Sequence, residues 1–121
     1  MKALLQRYRA EILLVALTVG GSLLVYLPFW NGMGTVYRAW DGPNYLTIAR
    51  VGYDVPENYA ILGYVYVESY FLRHFPVYPA LIRLFSFVGW QRSMLLVSIL
   101  CAAGAAILFY RLCRDEWKLP Q

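Results

Sequence analysis

Two stretches of this chain carry no charged side chain, residues 12–30 with 19 positions and residues 93–110 with 18. At about 1.5 Å of rise per residue each would form a helix of roughly 27–28 Å, close to the hydrocarbon thickness of a bilayer. Both are therefore predicted to be transmembrane helices. Lys2, Arg7 and Arg9 precede the first run, as in a secretory signal. The run is longer than a signal's apolar region, however, and no small-x-small cleavage site follows Trp30, so it is expected to stay attached as a span.

Between the two runs the pattern changes to shorter periods. Asn31-Gly32-Met33-Gly34 is expected to break the first helix, and Gly42-Pro43 to open another, with proline in its first turn and Gly52 at its end. In that helix, over residues 43–51, Tyr45, Ile48, Ala49 and Gly52 share one face and Thr47 and Arg50 lie on another, as in a helix lying in a membrane interface. Residues 59–71 are rich in tyrosine and β-branched side chains and fit strand or helix equally. Pro76 and Pro79 bracket an extended or turning step. Residues 80–88 are apolar apart from Arg83 and Ser86 and end at Gly89; too short to span, they are predicted to form a second interfacial or re-entrant helix. The tyrosines and tryptophans of this middle segment suit the headgroup region. The fold class is thus an all-α membrane protein, with transmembrane helices at 12–30 and 93–110 flanking an extracytoplasmic segment, 31–92, with interfacial helices, and a tail at 111–121. The absence of any repeat, low-complexity tract or linker makes residues 1–121 a single unit.

Composition and charge sharpen this picture. Of the 121 residues 60% are hydrophobic and 15% charged, too apolar for an ordinary soluble domain. Lys2, Arg7 and Arg9 before the first run, and Arg111, Arg114 and Lys118 after the second, place both termini in the cytoplasm by the positive-inside bias. The membrane would be the plasma (inner) membrane of a bacterium or the endoplasmic reticulum of a eukaryote. These flanks account for the net charge of +4, and no basic stripe interleaved with stacking aromatics is present, so nucleic acid is not an expected partner. Cys101 and Cys113 lie 12 residues apart on one helix, roughly 18 Å, too far to bond. They fit small buried hydrophobes. Small residues recur at Ser98, Ala102 and Ala106, beside Gly104 and Ala105, and at Ala16 and Gly20, which are faces that let membrane helices approach closely. Besides the lipid bilayer, the expected partners are therefore further transmembrane helices of the same or another chain.

The candidate chemistry concentrates around Asp41. It precedes the helix opened by Pro43, where the dipole and unpaired N–H groups favour a carboxylate, and its neighbour Trp40 can stack on a sugar face. Local sequence also allows Asp41 to be a helix cap and nothing more. His74, the only histidine, can hydrogen-bond or protonate a substrate at neutral pH. Arg38, Arg50, Arg73 and Arg83 can each receive a phosphate through paired N–H donors, or simply meet lipid headgroups. Asp54, Glu57 and Glu68 add carboxylates, but without metal-ligand spacing, and no phosphate loop, nucleophile elbow or dinucleotide fingerprint occurs. No metal or other cofactor is expected.

At Arg38-Ala39-Trp40-Asp41 with Tyr45, Ile48 and Ala49, at Gly52-Tyr53, and at Phe75-Pro76-Val77-Tyr78-Pro79 with Leu81, Ile82 and Arg83, the chain resembles the N-terminal part of the GT-C superfamily of polytopic glycosyltransferases, nearest to PIG-V-like mannosyltransferases. The likeness covers roughly residues 36–88. It implies a polyprenyl-phosphate sugar donor, transfer with inversion and Asp41 as the catalytic base; taken with the chemistry of the residues themselves, the candidate substrate contacts are Trp40, Arg38, Tyr45, Arg50, Tyr53, His74 and Arg83. Family members have more spans, so the chain is expected to be an N-terminal module too short to act alone. The alternative is a non-enzymatic two-span subunit or assembly factor whose outer segment packs on a partner.

Overall fold

A computed structural model describes residue 6 and residues 8–56, 60–61, 64–65 and 73–117. In chain order the elements are helix α1 (Arg9–Tyr26), a 3-10 turn (Leu27–Gly32), α2 (Met33–Tyr37), α3 (Gly42–Val51), the short strands β1 (Ala60–Ile61) and β2 (Tyr64–Val65), α4 (Val77–Leu84), a second 3-10 turn (Ser86–Val88) and α5 (Trp90–Trp117). The described residues divide into two compact units. One joins the residues up to Pro28 with those from Ser98 onward, and the other is Phe29–Val97.

In the first unit, two helices are long and apolar enough to cross a membrane. Their large side chains face outward: Ile12, Leu13, Leu17 and Leu24 of α1 and Leu108, Phe109 and Leu112 of α5 are exposed, a surface suited to lipid and costly in water. The hydroxyl of Ser22 donates to the carbonyl of Thr18 at 2.8 Å, so this polar group is satisfied inside the helix. The α-helix ends at Tyr26, earlier than the expected break at 31–34. Pro28 has no N–H for the carbonyl of Leu24, and the Leu27 N–H reaches the carbonyls of Leu23 and Leu24 as the last α-type donor. At the other end of the helix the Arg111 Nε donates to Glu11 Oε1 at 3.2 Å. Glu11 precedes the first apolar run and Arg111 follows the second, so this bond brings those two ends together. Cys113 is buried as expected, while Cys101 is exposed, on the opposite side of α5 from the buried Ala103.

The second unit has its own core. Tyr37 of α2, Leu46 and Ala49 of α3, Ile82 of α4 and Met94 of α5 form one buried cluster. Full burial of Leu46 and Ile82 contributes about 1.5–3 kcal/mol each. Helix α3 lies where Gly42-Pro43 and Gly52 predicted, and Gly52 ends it with φ 89°. Ile48 and Ala49 are buried and Arg50 is exposed as the expected face pattern predicts, but Thr47, expected beside Arg50, is buried, as are Pro43, Asn44 and Leu46. Thr47 tolerates burial by donating to the carbonyl of Pro43 at 2.8 Å. Helix α4 begins at Val77, not at 80. Pro79 sits in its first turn, where an N–H has no intrahelical acceptor and its loss costs no bond. Ser86–Val88 continues as a 3-10 turn to Gly89, φ 101°.

The described elements are helices apart from one antiparallel pairing, Ala60 with Val65 and Ile61 with Tyr64, which falls in the stretch whose pattern fitted strand or helix alike. Glu57, Glu68, Lys2, Arg7 and Lys118 lie outside the described residues.

Candidate functional site

Asp41 stands at the N-terminal boundary of α3, and its backbone carbonyl accepts the N–H groups of Asn44 and Tyr45 at 3.0 and 3.1 Å. Its carboxylate makes no cap hydrogen bond. The side chain turns sideways instead: Oδ1 accepts the Asn44 Nδ2 at 3.2 Å and lies 3.9 Å from His74 Nε2. That second distance is too long for a hydrogen bond and becomes an ion pair only when the imidazole is protonated. The Asp41 side chain is 55% exposed and the His74 side chain 8%, so a half-open carboxylate faces a covered imidazole. A ligand can reach the carboxylate.

Each neighbour has a structural reason to be where it is. The Tyr53 hydroxyl donates to the His74 carbonyl at 2.6 Å, tying the segment that follows α3 to the segment that leads into α4. Tyr45 packs edge-to-face on both His74 and Tyr78, with ring centroids 5.0 and 4.9 Å away, the orientation aromatic quadrupoles favour. The Tyr78 hydroxyl in turn donates to the carbonyl of Met94 at 3.1 Å. Asn44 is fully buried, and its Oδ1 has no hydrogen-bond partner among the described residues, an unsatisfied acceptor on the side chain that bonds the carboxylate. Trp40 is 95% exposed and holds φ 50°. A left-handed conformation costs a residue with a Cβ about 1–2 kcal/mol, and such strain clusters at functional sites. The indole projects from the residue that precedes Asp41 in sequence.

Of the expected site residues, the structure brings together Asp41, Tyr45, Tyr53 and His74, with Trp40 adjacent in sequence. Arg50 goes elsewhere: its guanidinium lies over the Trp90 ring, 5.3 Å from the centroid. Arg38 and Arg83 are exposed, and their side chains make no hydrogen bond or ion pair among the described residues. Arg73 is exposed beside His74. Asn44 and Tyr78 were not foreseen. Asn44 had one usable signal, a lone amide at the third position after Asp41 in an apolar helix. Tyr78 had none beyond its place in the Phe75–Pro79 motif, because its partners Tyr45 and Met94 are distant in sequence. Comparison with family models, curated proteins and solved structures gives no match to this chain.

Proposed function

We propose that this chain is the N-terminal module of an integral membrane glycosyltransferase, mannosyltransferase-like, that moves a sugar from a polyprenyl-phosphate donor with inversion. The observation that carries the reading is the Asp41 carboxylate, half-exposed, free of any capping role, and grouped with His74, Asn44, Tyr45 and the projecting Trp40. Asp41 takes the proton of an acceptor hydroxyl as the oxygen attacks the anomeric carbon, and the bond from that carbon to the phosphate oxygen breaks on the opposite face. Trp40 offers a stacking surface for the sugar, and Tyr45, Tyr53 and His74 shape and hold the carboxylate's surroundings. Arg38, Arg50, Arg73 and Arg83 are the candidates to meet the departing phosphate. The decisive experiment is the Asp41 substitution argued in the Discussion.

The module spans the membrane twice, with residues 31–92 outside, their helices at the interface, and both termini cytoplasmic, in the bacterial inner membrane or the endoplasmic reticulum. The Glu11–Arg111 bond supports the antiparallel hairpin this requires. In a chain whose Cys101 and Cys113 are replaced by alanine, Thr35→Cys is expected to react with a membrane-impermeant maleimide on intact vesicles of native orientation, and Glu116→Cys only after permeabilisation. The reverse pattern would invert the topology. Further transmembrane helices, of the same or another chain, complete the assembly. Gly20, Gly21 and Gly104 support this, since an added Cβ would meet nothing within 4 Å at any of them, so these small-residue faces have room for a partner. That same observation is what favours the second reading, a two-span subunit or assembly factor. Loss of transfer in the Asp41 variant separates the two.

A further inference from the structure

An aspartate at a helix start ordinarily turns its oxygens back onto the N–H of the second or third helical residue. In α3 the second residue is Pro43, which has no N–H, and the third is Asn44, whose N–H goes to the Asp41 carbonyl at 3.0 Å. What catches the carboxylate instead is the Asn44 side chain, whose Nδ2 donates to Oδ1 at 3.2 Å. That side chain is shut inside the unit Phe29–Val97, with Asn44 only 1% exposed. The other end of its amide, Oδ1, is buried with no hydrogen-bond partner among the described residues. A buried acceptor left unpaired forfeits the water it had in the unfolded chain, so half of this amide works against folding. Leucine has the same branching, forms helices better and would orphan no acceptor. The first turn of α3 does not need the amide either, since Thr47, the next polar residue, is satisfied by the carbonyl of Pro43. The side-chain bond that the described residues give Asn44 is therefore the one to a carboxylate that is 55% exposed and caps nothing.

We infer that Asn44 is a positioning residue for Asp41: it holds Oδ1 inward, on the side of His74 Nε2 at 3.9 Å, and so presents Oδ2 to the incoming hydroxyl. The inference rests on the reading of Asp41 as a base. A carboxylate is planar, so holding one oxygen fixes the direction of the other across Cγ. A base oxygen must lie within hydrogen-bond reach of the proton it takes, and a misplacement of about 1 Å costs up to roughly 10² in rate. The stability lost at the unpaired Asn44 oxygen is what the chain gives up for that direction, a local rule broken where the site needs it.

The first test needs no sugar transfer. The asparagines stand at 31, 44 and 58, and in magnetic resonance of the detergent-solubilised chain, isotope-labelled at its asparagine amides, the Asn44 signal is the one missing from Asn44→Leu. It is expected to move when acid protonates Asp41, both in the native chain and in His74→Gln, which removes the other titratable group facing the carboxylate. In Asp41→Asn it should hold still. A signal indifferent to acid, or one that responds as strongly in Asp41→Asn, would overturn the inference whatever the complete enzyme does. The second test uses a complete enzyme carrying this segment. Asn44→Leu should lower kcat for transfer roughly tenfold to a hundredfold, with KM little changed, while melting at or above the wild-type temperature because the orphaned acceptor is gone. Asn44→Ala, which adds no volume, should lower kcat alike when assayed where circular dichroism shows it folded. Wild-type kcat in either folded variant, or a loss of kcat that disappears on cooling below its melting range, would make Asn44 structural and overturn the inference. If the unsubstituted enzyme transfers no sugar, the glycosyltransferase reading fails, and the resonance result alone decides whether Asn44 holds the carboxylate.

Discussion

Asp41→Asn is expected to lower sugar transfer from a polyprenyl-phosphate donor by about 10² or more, in an enzyme that carries this segment with its full set of spans, while leaving its melting temperature nearly unchanged. The substitution removes the basic oxygen and keeps the shape. The new amide oxygen can still accept the Asn44 Nδ2, now 3.2 Å from Asp41 Oδ1, and the new amide group can face His74 Nε2, which lies 3.9 Å from the same oxygen. From sequence alone Asp41→Ala should cost about 1 kcal/mol through loss of a helix cap. The carboxylate does not cap α3, so that cost is replaced by loss of the Asn44 hydrogen bond at a half-exposed side chain, about 0.5–1.5 kcal/mol. It leaves a second buried amide atom of Asn44 without its partner. The two variants should therefore share the loss of turnover and differ in stability. Radiolabelled sugar transfer and thermal unfolding, measured on the same preparations, read both. Transfer by the Asp41→Asn enzyme at the wild-type rate would return Asp41 to a structural role and favour the two-span subunit reading.

What the sequence made legible follows the range over which each feature is decided. The two apolar runs, the start of α3 at Gly42-Pro43 and its end at Gly52 depend on side chains a few positions apart, and the helices lie there. The Asp41 carboxylate accepts from Asn44, three positions on, and faces His74, 33 positions away, whose backbone Tyr53 holds. Only the first of these partners lies within reach of a local pattern. A cap and a lateral carboxylate have the same sequence signature, since both need an acidic residue before a proline-opened helix. Helix α3 shows the same limit in its packing. Its polar positions, Asn44 and Thr47, indicate a wet face only if nothing covers them, and both are buried. Proline misled at α4 for a different reason. Pro79 is compatible with a turn or with the first turn of a helix, and only the apolar contacts of Ile82 in the shared core choose the second. The arginines were indistinguishable by pattern because their roles depend on what lies opposite, an indole for Arg50 and solvent for Arg38 and Arg83.

Gly42→Ala is expected to be the most damaging single methyl group that can be added to the unit Phe29–Val97. A Cβ at this position would stand 2.5 Å from the carbonyl oxygen of Tyr37, 3.4 Å from its carbonyl carbon and 3.5 Å from the Met94 Cε. The nearest of these is backbone, which cannot swing away as a side-chain tip can. Tyr37 and Met94 both belong to the buried cluster with Leu46, Ala49 and Ile82, so relief requires moving α2 relative to α3 inside a packed core. Overpacking of this kind costs typically about 1–3 kcal/mol, and about 4–8 °C of melting temperature per kcal/mol in a unit of this size. Gly104→Ala is the matched control, because its Cβ would meet nothing within 4 Å in the middle of α5, and alanine is worth roughly 0.5–1 kcal/mol over glycine in a helix interior. In detergent, followed by tryptophan fluorescence and circular dichroism, the first variant should melt at least about 5 °C below wild type and the second at or above it. Equal melting of Gly42→Ala and wild type would mean that α2 and α3 are not in contact at Tyr37. The displacement has a functional side as well, since Asp41 is bonded directly to this glycine. A shift that frees the Tyr37 carbonyl also carries the carboxylate away from His74, so transfer should fall in Gly42→Ala even at temperatures where the protein is folded.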